Sequence, residues 1–296
     1  MTQKPLQKFG GDWSADKLVR VRKYLDEYVK IMSKQSFKFA YIDAFAGTGY
    51  QVLKGEESPN QLLFPELADL ESQTFLEGSA RLALHVRPKF DKYIFVERDA
   101  KRFSELEKLK IDFPDVAEDI ILKKEDCNSY LQKICRNRNH WLERRAVLFL
   151  DPFGMQVGWE TITAIAQTKA IDLWILFPLG VAVNRLLRRD GQIEDVWRRR
   201  LDEMFGTSDW FDAFYESKSV NTLFDGLETR IEKKANFADI AEYFKRRLRT
   251  VFVDVADNTL FLYNSKNIPL YMLCFAVGNP KGSKPAIRIA NHILKG

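Results

Sequence analysis

Four carboxylates close apolar runs in the first half of the chain: Asp43 in "KFAYID", Glu97 in "KYIFVE", Asp126 in "DIILKKED" and Asp151 in "RAVLFLD". Asp43 runs straight into Ala44, Phe45, Ala46, Gly47, Thr48 and Gly49, a small-residue turn that lets a ligand approach the backbone closely. An acid ahead of such a turn can balance an ammonium. An acid at the end of the next strand can take both hydroxyls of a ribose. Asp126, one strand further, can accept from the exocyclic amine of adenine. Together these describe a nucleoside that carries an amino acid. Each acid alone is also what a helix start asks for, because Asp side chains cap the first free amides. Four in succession is what turns the pattern toward a ligand. A dinucleotide cradle would instead want Gly-x-Gly-x-x-Gly with an acid about 20 residues on. Here Val52 stands at the third glycine position and Glu97 lies much further along, so the NAD or FAD reading loses ground.

The elements that must position these acids alternate. Leu18, Val21, Leu25, Tyr28 and Val29 recur at helical spacing, with Ser14 as the expected N-cap. A strand ends at Asp43, and residues 50–74 read as a long loop. "GSARLALHV" is the next helix, with Ser79 expected to cap it. Strands then end at Glu97, Asp126 and Asp151, each followed by a helix, and "AIDLWILFP" is a fifth strand. Regular alternation predicts an α/β fold with an open parallel sheet covered by helices on both faces. Residues 183–250 read as a mostly helical, charge-rich insertion, with "FGTSDWFDAFYESKSV" as its irregular part. Residues 251–296 return to strands and a short helix. The expected partition is therefore 1–182 core, 183–250 insertion for substrate or partner recognition, and 251–296 closing strands of the same sheet.

The 296 residues suffice for a sizeable core, and 22 Phe supply it. A net charge of +5 permits an anionic partner without demanding one. Cys127, Cys135 and Cys274 form no framework of spaced pairs, which fits a reducing compartment. "MTQKPLQKFGGDW" has no apolar core of a signal peptide, and no apolar run is long enough to span a bilayer. A cytoplasmic protein with no membrane partner is the expectation. Cys127, Cys135 and His140 match no common zinc spacing, so no metal is expected.

"DAFAGTG", "FVE", "KEDC" and "LFLDPFG" together resemble the acidic and glycine motifs of class I S-adenosylmethionine-dependent methyltransferases. The "DPFG" wording is similar to that of tRNA guanine-N2 methyltransferases. A fuller resemblance, over roughly Asp16 to Asn279, is to the three-Cys-motif partner proteins of bacteria, through "YIDAFAGTG", "LEGSARLAL", "YIFVERD", "LFLDPFGMQVGWETI" and "IDLWILFPLG". That family's name refers to cysteines in a neighbouring partner protein.

The resemblance implies a Rossmann-like methyltransferase fold with S-adenosylmethionine as cofactor. Asp43 and residues 44–49 would hold its methionine part, Glu97 with Arg98 the ribose, and Asp126 with Cys127 the adenine. It also implies an amine acceptor, held by Asp151 and the Pro152 carbonyl, with Phe153 stacking on a base and Gly154 turning the chain away. The departure from Asp-Pro-Pro-Tyr leaves the acceptor open. Two basic runs, "NRLLRRDGQIEDVWRRR" and "EYFKRRLR", offer Arg188, Arg189, Arg198, Arg199, Arg200, Arg246 and Arg247 as a phosphate footprint for RNA or DNA. On helices such runs are as often plain solvated faces. The alternative to an enzyme is a non-catalytic module of the same fold that binds a three-Cys-motif protein.

Overall fold

The computed structural model describes residues 12–46, 78–222, 226–264 and 266–295. The chain opens with helix α1 (Asp12–Met32). Then come β1 (Lys38–Asp43), α2 (Ser79–Leu84), β2 (Lys92–Val96), α3 (Ala100–Glu107), β3 (Ile120–Lys123), α4 (Cys127–Arg136), β4 (Arg144–Leu150), α5 (Trp159–Gln167) and β5 (Ile171–Phe177). A π-helical turn, Leu179–Asn184, leads into α6 (Asp195–Phe205), α7 (Trp210–Phe214), β6 (Tyr215–Thr222), β7 (Gly226–Lys233) and α8 (Phe237–Arg249). The chain closes with β8 (Asp254–Val255), β9 (Leu260–Tyr263), β10 (Pro269–Val277) and α9 (Ser283–Leu294).

The large sheet has the order β3-β2-β1-β4-β5-β10-β8. β1 to β5 are parallel, and β10 is antiparallel to β5. Met272 of β10 pairs with Phe177 of β5 and with Phe261 of β9, so β9 lies on β10's far edge, beyond β8 on the same side. β8 and β9 are thus one interrupted edge strand. Strand order reverses between β1 and β4. Right-handed crossovers therefore put the β1–β2 and β4–β5 connections on opposite faces, which is what opens a crevice at the switch point. The sheet is mostly parallel with helices on both faces, a Rossmann-like arrangement as expected, and the antiparallel β10 and its edge strand add to it.

α1 packs against α2 and α9 on one face, while α4, α5 and α6 pack in succession on the other. The face under α1 is aromatic. Tyr24 meets Trp174 at 5.4 Å and Phe275 at 4.8 Å between ring centroids. Phe177, three residues after Trp174 and so on the opposite face, stacks on Phe244 of α8 at 4.0 Å.

Asp172, at the start of β5, lies buried under α1, and one of its oxygens accepts the Tyr24 hydroxyl at 2.9 Å. Burial pushes its carboxyl up to about 7 from an ordinary 3.8, against the opposing pull of Tyr24, the Gly278 amide and Arg145. Between those two values the folded chain binds more protons than the unfolded one. The stability Asp172 allows is therefore complete below about pH 4 and is lost as pH rises through about 7. Between pH 5 and 7 the loss amounts to about 2 kcal/mol. Asp172→Asn keeps an acceptor for Tyr24 and should remove that part of the slope, as read by urea unfolding at both pH values. Identical slopes in wild type and variant would refute this account.

Three local expectations change. α1 begins at Asp12, so Ser14 stands inside it and is not its cap. α2 is preceded by Gly78, and Ser79 is its first helical residue and not its cap. Within the insertion, read as mostly helical with "FGTSDWFDAFYESKSV" irregular, Tyr215–Thr222 and Gly226–Lys233 pair as antiparallel strands. The pair is held by backbone pairing and by Lys218, which reaches Glu232 at 2.6 Å and Glu216 at 3.2 Å.

The insertion is fastened to the core at Trp159, the first residue of α5. Gly206 ends α6 in the left-handed conformation (φ +68°), and a Cβ there would stand 2.0 Å from the Trp159 ring. Arg247 of α8 covers the same ring at 4.7 Å and donates to the Phe205 carbonyl at 2.9 Å.

Candidate functional site

Asp43 pairs in register with Phe95 of β2 and Phe149 of β4. Strand residues two apart share a face, so Glu97 and Asp151 project to the same side as Asp43, about 7 Å further along at ~3.3 Å per residue. Phe149 is in register with Trp174, whose ring meets Tyr24, so the shared side is the one under α1. Three of the four strand-end acids, Asp43, Glu97 and Asp151, are buried there; Asp126, after β3, is half-buried.

Asp43 is fully enclosed. Its Oδ1 accepts the Phe45 amide at 3.1 Å, closing a tight Asx turn, and its Oδ2 meets no hydrogen-bond donor among the described residues. Burial pushes its carboxyl up to about 7, the Ser79 hydroxyl and the Phe45 amide pull the other way, Asp151 adds to the rise, and Lys17 opposes it. The amides beyond it are committed too. Ala44 donates to the Phe149 carbonyl at 3.3 Å and Ala46 to the Val96 carbonyl at 3.2 Å. The amides of residues 44–46 are therefore engaged by the turn and the strands beside it. Gly47, Thr48, Gly49 and the loop 50–74 lie outside the described residues.

Glu97 accepts the Asp99 amide at 2.8 Å, and Asp99 in turn caps α3 through the Arg102 amide at 2.9 Å. Burial raises the Glu97 carboxyl, with the Asp99 amide and the Arg102 charge opposing. The Arg98 side chain is exposed beside it. Asp126 performs the capping role its position invited, accepting the Ser129 amide of α4 at 3.0 Å through Oδ1. Cys127 is buried at the first position of α4, and burial, with the Asp126 charge, pushes its thiol up to about 12. A buried thiol raised in this way stays in its protonated form at physiological pH, which disfavours thiolate chemistry.

Asp151 is not an open strand-end carboxylate. Its Oδ2 receives Lys17 Nζ of α1 at 2.6 Å, with both side chains sequestered from water. Lys17, to which the sequence assigned no role, is the side chain that α1 brings against Asp151. Its signal was there: Lys17, Val21, Tyr24, Tyr28 and Met32 fall on one helical face, and every other member is apolar or aromatic and buried. Pro152 is buried, Phe153 half-buried, and Gly154 turns the chain with φ +67°. The Phe153 amide donates to Gln156 Oε1 at 2.8 Å. From α4, Asn128 donates to the Gln156 carbonyl at 2.8 Å and accepts the Gly158 amide at 3.1 Å and the Thr161 hydroxyl at 2.8 Å.

The basic runs divide. Arg198 lies over the Phe211 ring at 4.5 Å, Arg200 pairs with Glu203 at 3.0 Å, and Arg247 is the clamp on Trp159. Arg188, Arg189, Arg199 and Arg246 are exposed, although Arg188 stands 3.6 Å from Asp190 and Arg199 reaches back to the Asp195 carbonyl. Among the described residues no three His, Cys, Asp or Glu side chains gather to hold a metal, and no helix is long and apolar enough to cross a membrane.

No family model matches the chain, and no curated protein matches it. Solved structures that resemble it include protein LPL1258 from Legionella pneumophila, at 13% identity over 97% of this chain and 92% of that one, with a TM-score of 0.49. A methyltransferase from Geobacter sulfurreducens aligns at 11% identity over 72% of this chain and 78% of its own, with a TM-score of 0.29. Spermidine synthase from Thermotoga maritima aligns at 11% identity over 92% and 62%, with a TM-score of 0.36. These are likenesses of fold alone. The reading of chemistry rests on this chain's own residues.

Proposed function

We propose that the protein is an S-adenosylmethionine-dependent methyltransferase acting on an exocyclic amine of a nucleic-acid base. The observation that carries this reading is Asp43: an enclosed carboxylate at the switch point of the sheet with one oxygen that no described donor satisfies. Such an atom is costly unless a cation or donor meets it, and an amino-acid ammonium does both. Glu97 would bind the ribose, Asp126 the adenine amine, and Cys127 the adenine edge.

S-adenosylmethionine supplies an electrophilic methyl on a sulfonium. The chain's own contribution is positioning. Lys17 pins Asp151 through Oδ2, which leaves Oδ1 and the Pro152 carbonyl to accept the two N–H hydrogens of the acceptor. That arrangement turns the nitrogen lone pair toward the methyl. Phe153, half-buried at the turn, would stack on the base.

Calorimetry tests the cofactor. S-adenosylhomocysteine should bind and NAD should not, and Glu97→Ala should weaken binding by about 1–3 kcal/mol through loss of charge-assisted ribose contacts. Unchanged affinity in that variant would end the ribose assignment.

The exposed arginines test the acceptor class. Binding of single-stranded RNA or DNA should weaken with salt at a log–log slope of about −0.7 per phosphate contact. Arg188→Ala, Arg189→Ala and Arg246→Ala combined should flatten that slope, whereas Arg198 and Arg247, packed on rings, should contribute little to it. A protein indifferent to nucleic acid at low salt would point to another acceptor.

One observation favours a second reading. Asp151 already carries an ion-pair partner, as it would in a module of this fold that binds a three-Cys-motif protein without transferring methyl. Partner binding that persists while methyl transfer is absent from every nucleic acid offered would select that reading.

A further inference from the structure

The segment that would hold the acceptor runs from Asp151 to Gly158, and most of it is anchored by burial. Asp151, Pro152, Met155 and Val157 are inaccessible, and the polar backbone between them has few places to go. Those places are supplied from α4. Asn128 Nδ2 donates to the Gln156 carbonyl at 2.8 Å, and its Oδ1 accepts both the Gly158 amide at 3.1 Å and the Thr161 hydroxyl at 2.8 Å. One turn on, Gln132 donates to the same Thr161 oxygen at 3.0 Å. Gly158 precedes α5 and has no side chain with which to cap it. Asn128 gives that helix start the polar partner its own sequence lacks.

What makes this more than packing is where Asn128 sits. It follows Asp126 and Cys127 directly, the residues read above as the adenine contacts, and Asp126 fixes the start of α4 through the Ser129 amide. Three consecutive residues therefore face two subsites. Two of them would bind the cofactor, and the third holds the C-terminal end of the acceptor loop, at Gln156 and Gly158. A carboxamide is the only common group of this size that donates and accepts from one rigid plane. An aspartate would face the Gln156 carbonyl with a second acceptor, and a serine would be too short.

We propose that Asn128 is a positioning residue that couples the adenine pocket to the acceptor loop, so that filling the pocket orders the loop before the acceptor arrives. This rests on Asp126 being the adenine contact. It implies ordered binding, cofactor first, and it places the coupling in a single side chain outside the reacting atoms.

The test is amide hydrogen exchange on the full chain, with and without S-adenosylhomocysteine, read at Phe153 to Gly158. In wild type the ligand should slow exchange across this segment about tenfold. In Asn128→Asp the carboxylate still accepts from Gly158 and Thr161, and a negative charge suits the N-terminus of α5, so the variant should fold and bind the ligand within about threefold of wild type. Its protection of Phe153 to Gln156 on ligand binding should be lost. Asn128→Ala should lose protection at Gly158 as well. If both variants bind the ligand and protect the segment as wild type does, the coupling is wrong. If the ligand protects Asp126 to Ser129 but not the loop in wild type, the coupling is likewise wrong while the cofactor reading stands. If wild type binds no S-adenosylhomocysteine, the cofactor reading falls and the coupling falls with it.

Discussion

Lys17→Met will destabilise the protein by about 3–5 kcal/mol at neutral pH, because it removes one partner of a buried ion pair and leaves the other charge with no compensation. Lys17 is 1% exposed and its Nζ stands 2.6 Å from Asp151 Oδ2. Water cannot replace the lost partner at that depth. The pair itself is a different matter. Removing both charges together is often close to neutral, since the cost of desolvating two ions offsets most of their attraction. The double variant Lys17→Met with Asp151→Ala should therefore recover most of the lost stability. Equilibrium urea denaturation of wild type, single and double variants decides this. A Lys17→Met protein as stable as wild type would mean that the contact is incidental, and the α1 helix would then have no part in the site.

The same double variant isolates the chemistry. With both charges gone it should remain folded and bind S-adenosylhomocysteine about as well as wild type, because Asp43, Glu97 and Asp126 are untouched. Methyl transfer should fall by about a hundredfold or more. Losing one of two hydrogen bonds that orient the reacting nitrogen costs on the order of 3 kcal/mol of transition-state stabilisation. Asp151→Ala alone is the poorer experiment. The strand-end acid is buried against Lys17, so its removal strands a buried ammonium, and lost activity could reflect lost folding. The measurement is mass spectrometry of nucleic acid from cells lacking the gene, complemented with wild type or the double variant. Full restoration of the missing methylated base by the double variant would remove Asp151 from the catalytic centre.

The five parallel strands and the acids at their ends were legible in the sequence because each is a short apolar run closed by a polar residue. The alternation foretold a parallel sheet covered on both faces, but neither the strand order nor the antiparallel β10. Lys17 was not legible as a site residue because "SADKLVRVRK" offers several charges and nothing local distinguishes the one that faces inward; only its spacing to Val21 and Tyr24 does. The β6–β7 pair escaped for another reason. β6, "YESKSVNT", has no apolar alternation, and the alternation of Leu227, Thr229 and Ile231 with Glu228, Arg230 and Glu232 in β7 is short and lies in a charge-rich stretch. Residues 44–46 form a turn, as their small side chains suggested, but the sequence did not show that its amides are engaged by Asp43 and the neighbouring strands. Asn128 looked like one more polar residue at a helix start. Its role depends on a loop 28 residues later in the chain, and no local pattern encodes that.

Trp159 carries a consequence for anyone who would exchange residues 183–250. The ring fits against Gly206, where a Cβ would come within 2.0 Å, and lies under Arg247. Both contacts come from the stretch between β5 and β8, yet the ring belongs to the segment between β4 and β5. A chimera that transplants residues 183–250 as a cassette would carry the socket and leave the plug behind. Successful grafts will have to move Trp159 together with the insertion, and the modular boundary drawn along the chain is therefore not the boundary at which the molecule can be cut.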